Sequence, residues 1–303
     1  MANSPVVTGL PSYVEQHTLP LIAKVALGAK SAKMFNLMTG VNGPTKLNLL
    51  DSTVVFQDGS NCGWAESGST ELTQREIDPA ILKVNMAFCE KKLLKTWAQY
   101  QVRIAAGDKT LPFEEEFMNN IVDNVNEALE KMIYQGVSGQ TDQFEGLISI
   151  LANSAVTPTV SGAAGSAVYT MIKKVYAAIP AEALKEDTVI LVSDGTYRQY
   201  IQELVAANLY HHDAQEGYGE YRLPGTNTKV IAVSGLNGTS NFDYIIAGRL
   251  SNMFYGCDME NDQEKVEFWY SKDNREFRLA IEFAAGVQVA FPDEIVVGKI
   301  ALS

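Results

Sequence analysis

The sequence predicts an α+β chain in which β-rich segments flank one long helix and a compact strand–helix–strand unit. Three observations carry this. From Ile81 to Cys89, Leu82, Val84, Met86 and Phe88 alternate with their neighbours at period two, as in a half-buried strand. From Pro112 to Gln135, apolar residues recur at helical spacing over about 36 Å. Thr188–Val192 is a continuous apolar run, as in a strand covered on both faces, and a helical pattern follows it.

Residues 1–50 read as an arm. Pro5, Pro11, Pro20 and Pro44 interrupt them, as do Gly9, Gly28, Gly40 and Gly43. A short helical patch fits Tyr13–Ala29, with Val14, Leu21, Ile22 and Val25 as apolar contacts. The rest is expected to be extended, its apolar residues buried only against a partner. Lys46–Leu50 and Thr53–Phe56 are short strand candidates. A turn-rich segment, Asp58–Thr70, separates them from Leu82–Cys89. Together they predict a long hairpin with a Gly/Ser-rich acidic tip near Glu66–Gln74. An isolated hairpin is marginal in water, so a neighbour is expected to support it.

The helix Pro112–Gln135 has Thr110 as N-cap, Glu114, Glu115 and Glu116 at its positive end, and Gly136 just past its last turn. After a Gly/Ser/Ala-rich loop, Ala152–Ala167, come a helix over Ala167–Ile179, the strand Thr188–Val192 and a helix over Thr196–Leu209 capped at Ser193–Asp194. Strands Lys229–Val233 and Tyr244–Ala247 flank the turn Gly235–Ser240. The last part alternates again at Val266, Phe268 and Tyr270 and at Phe277–Phe283, followed by Val287–Phe291 and Ile295–Ala301.

Composition narrows the function. The 303 residues are 46% hydrophobic and 20% charged, with a net charge of -12. An ordinary globular composition excludes a disordered, collagenous or coiled-coil chain, and the acidity argues against a dedicated nucleic-acid binder. The first fifty residues run the other way, with Lys24, Lys30, Lys33 and Lys46 against Glu15 alone. Such asymmetry marks a contact segment or a chance cluster. Cys62, Cys89 and Cys257 lie far apart with no CxxC pair, their odd number argues against a disulfide framework, and a soluble chain made in a reducing compartment is expected. No apolar run reaches the length of a membrane span.

Chemistry-bearing motifs are missing. There is no phosphate loop, no GxGxxG and no GxSxG, and His17, His211 and His212 build no metal or nucleophile motif. The run Asp258, Glu260, Asp262, Glu264 reads as a solvated loop or a divalent-cation site. Trp64, a large apolar residue in a polar segment, either packs under its loop or anchors on another subunit. No cofactor, metal or catalytic residue is expected.

The order of elements and several local patterns resemble the major capsid protein of tailed double-stranded DNA phages, the Hong Kong 97-type fold. Gly63-Trp64-Ala65-Glu66 followed by Leu82–Cys89 looks like the family's E-loop and its return strand. Tyr134-Gln135-Gly136 followed by Phe144-Glu145-Gly146-Leu147 resembles its pattern after the spine helix. Val189–Val192 with Tyr197 and Leu204 looks like its central strand and helix, and Tyr218–Leu223 with Lys229–Val233 like its later sheet. The resemblance implies an N-terminal arm at 1–50, an E-loop at 51–85, a peripheral domain at 86–146 and 251–303, and an axial domain at 147–250. It implies self-assembly into hexamers and pentamers of an icosahedral head around double-stranded DNA, with scaffolding, portal and decoration proteins as partners and no membrane. The chain would be a virion component assembled in the host cytoplasm. Lys24, Lys30, Lys33, Trp64, Glu66, Glu71 and Arg75 are the expected inter-subunit contacts. Some family members join subunits through a lysine at the E-loop tip; Glu66–Gln74 has none, so no such cross-link is expected. The start at Met1 favours a separate scaffolding protein. An encapsulin-like nanocompartment shell is the alternative within the fold, and a hydrolase the alternative outside it.

Overall fold

The computed structural model describes residues 5–56, 68–105, 113–140, 142–184, 187–209, 219–258 and 265–302. The chain opens with three helices, α1 (Pro5–Gln16), α2 (Thr18–Ala26) and α3 (Lys30–Met34). The helical patch expected at Tyr13–Ala29 is present in the end of α1 and in α2, and the extended chain expected before and after it is corrected by the start of α1 and by α3. Pro5 begins α1 and Pro20 lies in the first turn of α2, positions where a missing N–H costs nothing; Pro11 alone sits inside a helix. Leu10, Val14, Leu21, Ile22 and Val25 are buried against Met118, Ile121, Val125 and Leu129 of the same chain. Each such side chain contributes about 1.5–3 kcal/mol on burial, which outweighs about 3 kcal/mol for one interior proline. The segment is thus held by its own subunit, and the Tyr255 hydroxyl donates to the Ala26 carbonyl at 2.8 Å to fasten it.

After β1 (Asn36–Thr39) comes a two-stranded antiparallel ribbon, β2 (Thr45–Val54) and β3 (Gly68–Ile77), registered from Thr45 opposite Ile77 to Val54 opposite Gly68. The two short strands expected here are one strand of 10 residues. The return strand is β3, not Leu82–Cys89, and Glu71–Gln74 lie inside it rather than at the tip. β3 escaped the sequence reading because Gly-Ser-Thr-Glu-Leu-Thr-Gln-Arg-Glu has no apolar alternation: a ribbon with little core beneath it leaves no period-two pattern. Leu82–Cys89 belongs to β4 (Ala80–Cys89), which joins another sheet.

Helix α4 (Glu90–Ala105), unassigned from sequence, precedes the long helix α5 (Phe113–Gln135). Glu114, Glu115 and Glu116 sit in the first turn of α5, where the helix dipole favours them. The turn after α5 explains the two glycines of the sequence pattern. The Gly146 N–H donates to the Gly136 carbonyl at 3.0 Å, and a Cβ on Gly146 would lie 2.6 Å from the Gly136 nitrogen. The two backbones touch, so neither position has room for a side chain.

Next come α6 (Leu147–Asn153), β5 (Thr159–Gly162), α7 (Val168–Ala178), β6 (Thr188–Val192) and α8 (Asp194–Ala206). The cap expected at Ser193 is present: its Oγ accepts the Thr196 N–H at 3.1 Å. Strands β7 (Glu220–Arg222), β8 (Lys229–Ala232), β9 (Phe242–Arg249), β10 (Met253–Cys257), β11 (Lys265–Ser271), β12 (Glu276–Val289) and β13 (Val296–Ala301) complete the chain. The segments Phe277–Phe283 and Val287–Phe291, read separately, form the single long strand β12.

The strands form two main sheets. A five-stranded sheet runs β1-β10-β12-β11, with β4 also paired to β12. A six-stranded sheet runs β5-β13-β9-β6-β8-β7. The last strand therefore joins the sheet of residues 159–249 between β5 and β9, so the expected grouping of 251–303 with 86–146 does not extend to Val296–Ala301. One core unites the N-terminal helices, α5, α6 and the first sheet; a second lies between α7, α8 and the six-stranded sheet.

A buried polar junction ties the parts together on α5. Glu130, 2% exposed, accepts the Ser31 N–H at 2.9 Å and the Ser31 hydroxyl at 2.5 Å. The Ser31 Oγ also lies 2.6 Å from the Tyr134 hydroxyl. Burial pushes the Glu130 carboxyl above the ordinary carboxylate range, while the two Ser31 bonds pull it back. One turn on, the Gln135 amide donates to the Gly235 and Asn237 carbonyls at 2.7 and 2.8 Å. A Cβ on Gly235 would meet the Glu130 carbonyl oxygen and the Tyr134 ring, so only glycine lets the turn before β9 sit this close to α5.

Candidate assembly surface

At the base of the β2–β3 ribbon, Leu47, Leu49 and Ile77 are buried, Leu47 and Ile77 in a small cluster with Val41, against Met38 and Phe254. Other described residues along it are open. Leu72 is 75% exposed and Phe56, where the chain leaves β2, is 96% exposed. Ten paired residues reach about 33 Å. The ribbon is anchored by Leu47, Leu49 and Ile77 at its base, while Leu72 and Phe56 present apolar surface to solvent.

The expected contact residues fall into three places. Glu71 and Arg75 are on β3. Arg75, opposite Leu47, is half-buried at the ribbon base, and desolvation pulls its guanidinium below its ordinary value. Lys24 and Lys33 come together on a groove of about 590 Å³ between the N-terminal helices and α5, beside Asn119, Asp123 and Asn126. The Lys24 ammonium donates to the Asn119 amide oxygen at 3.2 Å. Lys30 points the other way and donates to the Ala232 carbonyl at 2.9 Å, linking α3 to the six-stranded sheet of its own chain. Trp64 and Glu66 lie outside the described residues. Sequence reasoning missed Phe56, although its apolar neighbours Val54 and Val55 and the polar residues after it mark a strand end.

Among the described residues no group of three or more His, Cys, Asp or Glu side chains is placed to hold a metal ion. Of the acidic run, Asp258 is buried; residues 259–264 lie outside the described residues. No described helix is long and apolar enough to cross a membrane.

No protein-family model matches the chain, and no curated sequence does. Solved structures do. A chain of the satellite phage P4 procapsid, a structure that includes the size determination protein, has a TM-score of 0.64 at 11% identity, over 94% of this chain and 91% of that one. A chain of the capsid of an empty GTA particle matches at 0.60 and 14%, over 91% and 90%. One from Gordonia phage Cozz matches at 0.60 and 13%, over 92% and 87%. The holo-SrpI encapsulin complex of Synechococcus elongatus matches at 0.56 and 10%, over 88% and 85%. The chain has the mixed α and β fold of these shell-forming structures along nearly its whole length. At such identities the likeness concerns the fold; the function is argued below.

Proposed function

We propose that this chain is a structural shell subunit, the major capsid protein of a tailed-phage head, which self-assembles into hexameric and pentameric capsomers around double-stranded DNA. The observation that carries the proposal is the apolar surface that Phe56, 96% exposed, and Leu72, 75% exposed, present along the β2–β3 ribbon. Burying a phenylalanine contributes about 1.5–3 kcal/mol, and a contact between unlike surfaces, repeated around an axis, closes a ring. The fold shared with capsid structures supports the same reading. In it, the ribbon is the E-loop, α5 the spine helix, the five-stranded sheet the peripheral domain and the six-stranded sheet the axial domain. The role is structural rather than catalytic, in a virion assembled in the host cytoplasm, with scaffolding, portal and decoration proteins as further partners. Lys24, Lys33, Trp64, Glu66, Glu71 and Arg75 are the proposed inter-subunit contacts, with Lys30 acting first as a tie within its own subunit.

Negative-stain electron microscopy of the purified protein tests this. Closed shells or capsomer rings are expected. A monodisperse monomer with the radius of gyration of a compact domain, about 19 Å for this length, would overturn it. The likeness to an encapsulin supports a second reading, a shell that encloses protein. The two differ in contents: nuclease-protected double-stranded DNA in particles from infected or lysogenic cells supports the phage head, and co-purifying enzyme supports the nanocompartment.

A further inference from the structure

The fold gathers cations at one end of the five-stranded sheet. β4 ends at Cys89, which lies opposite Glu276, the first residue of β12. β11 ends at Ser271, also opposite Glu276. The turn of residues 272–275 therefore stands beside the start of α4, although the two lie far apart in the chain. Lys91, Lys92 and Lys95 on α4, and Lys272 and Arg275 on the turn, are all exposed. Packing sets which way the helix lysines face. Trp97 is partly buried against the first core, and at 3.6 residues per turn the three lysines fall on the side of α4 away from it.

The acids of the adjoining strands are already engaged. Glu276 pairs with Arg278 at 2.8 Å and Glu282 with Lys83 at 2.6 Å. No ion pair among the described residues engages Lys91, Lys92, Lys95, Lys272 or Arg275. In sequence, α4 and the turn carry Glu90 and Asp273 against these five cations and Arg103, so both segments are net basic in a chain of net charge -12. Cations in this state are held by water and salt, and a polyanion gains affinity by releasing its own counterions to them. Lys91 and Lys95 stand about one helical turn apart, about 6 Å along the axis, close to two phosphate steps of about 3.4 Å on one DNA strand. A regular, dense line of charge can meet several such cations at once.

We propose that the Lys91, Lys92 and Lys95 face of α4 and the Lys272–Arg275 turn form one patch that contacts the phosphate backbone of double-stranded DNA without reading its sequence. The choice of partner rests on the shell reading, in which that DNA is the enclosed polymer. The chain as a whole is acidic, so the contact is local and salt-sensitive rather than a dedicated binding domain. The test measures anisotropy of a short fluorescent duplex with the purified full chain. Saturable binding is expected at about 50 mM salt, with log affinity falling against log salt at a slope of about -3 to -4.5, as for three to five neutralised phosphates. Two duplexes of unrelated sequence should bind within about twofold of each other. The triple variant Lys91→Gln, Lys92→Gln, Lys95→Gln should weaken binding at least about tenfold and flatten the slope by about 2 to 3. The double variant Lys272→Gln, Arg275→Gln should flatten it by about 1 to 2. Lys173→Gln with Lys174→Gln, two exposed lysines on α7, should change binding less than about twofold. All seven positions are exposed, so the variants should keep the urea midpoint of wild type. The proposal is overturned if the duplex does not bind, if the α4 and turn variants bind as tightly as wild type, or if the α7 control weakens binding equally. It is also overturned if polyglutamate binds as tightly as the duplex, which would make an acidic protein segment the partner. Shells that form but fail to bind the duplex refute this assignment alone, whereas a chain that forms no shells refutes the shell reading.

Discussion

The junction on α5 makes a quantitative prediction. Glu130 is the acceptor for both the N–H and the hydroxyl of Ser31, and all three groups are buried. Glu130→Ala leaves that N–H and hydroxyl without their acceptor. At about 1–2 kcal/mol for each orphaned group, the lower part of the usual range because the Ser31 hydroxyl can still turn to Tyr134, the loss is about 2–4 kcal/mol. Glu130→Gln keeps the geometry: its amide oxygen accepts the Ser31 N–H, and its NH2 donates to the Ser31 oxygen, which turns its own proton to Tyr134. Gln also removes a buried charge, so its cost is under about 1 kcal/mol at neutral pH. The pH dependence has a definite sign. Burial raises the folded-state pKa of Glu130, so folding favours the neutral carboxyl. Its contribution is present below the ordinary carboxylate range and is lost as pH rises through the raised value. The Gln variant has no such titration, so stability relative to wild type should shift in its favour from about pH 5 to about pH 8. Urea unfolding of dissociated subunits, followed by circular dichroism, measures all of this; at a slope near 3 kcal/mol/M, the Ala variant moves the midpoint by about 1 M. A Gln variant as unstable as the Ala variant at pH 8, or an Ala variant within about 0.5 kcal/mol of wild type, would refute the reasoning.

Phe56→Asp should leave the subunit's melting temperature nearly unchanged, because the side chain is 96% exposed, yet abolish or strongly slow shell formation, read by sedimentation velocity. Gly235→Ala should destabilise the subunit by at least about 2 kcal/mol in the same urea assay, because its Cβ meets α5 backbone that cannot yield. Purified shells boiled in detergent should release monomers near 33.1 kDa; a covalent ladder would show a lysine elsewhere on the chain serving as cross-linker.

Legibility tracked the number of faces an element buries. Strands β6, β11 and β12 and helices α5, α7 and α8 lie on or between packed layers, and their apolar periods mark them within a few residues. The polar strand β3 carries no such period, and its pairing with β2 is a backbone matter that side-chain patterning does not report. In the N-terminal segment the helical patch expected at Tyr13–Ala29 is present, but the proline and glycine counts suggested an extended chain around it, where α1 and α3 form instead. The helices prevailed, because several buried side chains outweigh one misplaced proline. Of the contact residues, the sequence singled out Lys24 and Lys33 by charge, but only the folded chain brings them to one groove and turns Lys30 away from it.

By itself, the sequence determined the class of element in several well-buried segments, though not in β10 or α6, together with the acidic balance and the lack of catalytic motifs, because these depend on residue type and local spacing. The tertiary structure decided which strand pairs with the ribbon, which sheet takes the last strand, and where the N-terminal helices find their cover. It also decided which described apolar side chains, such as Phe56 and Leu72, stay exposed. Those outcomes depend on contacts between residues far apart in the chain, such as Ser31 with Glu130 and Phe254 with the ribbon base, and no local pattern encodes a contact of that range.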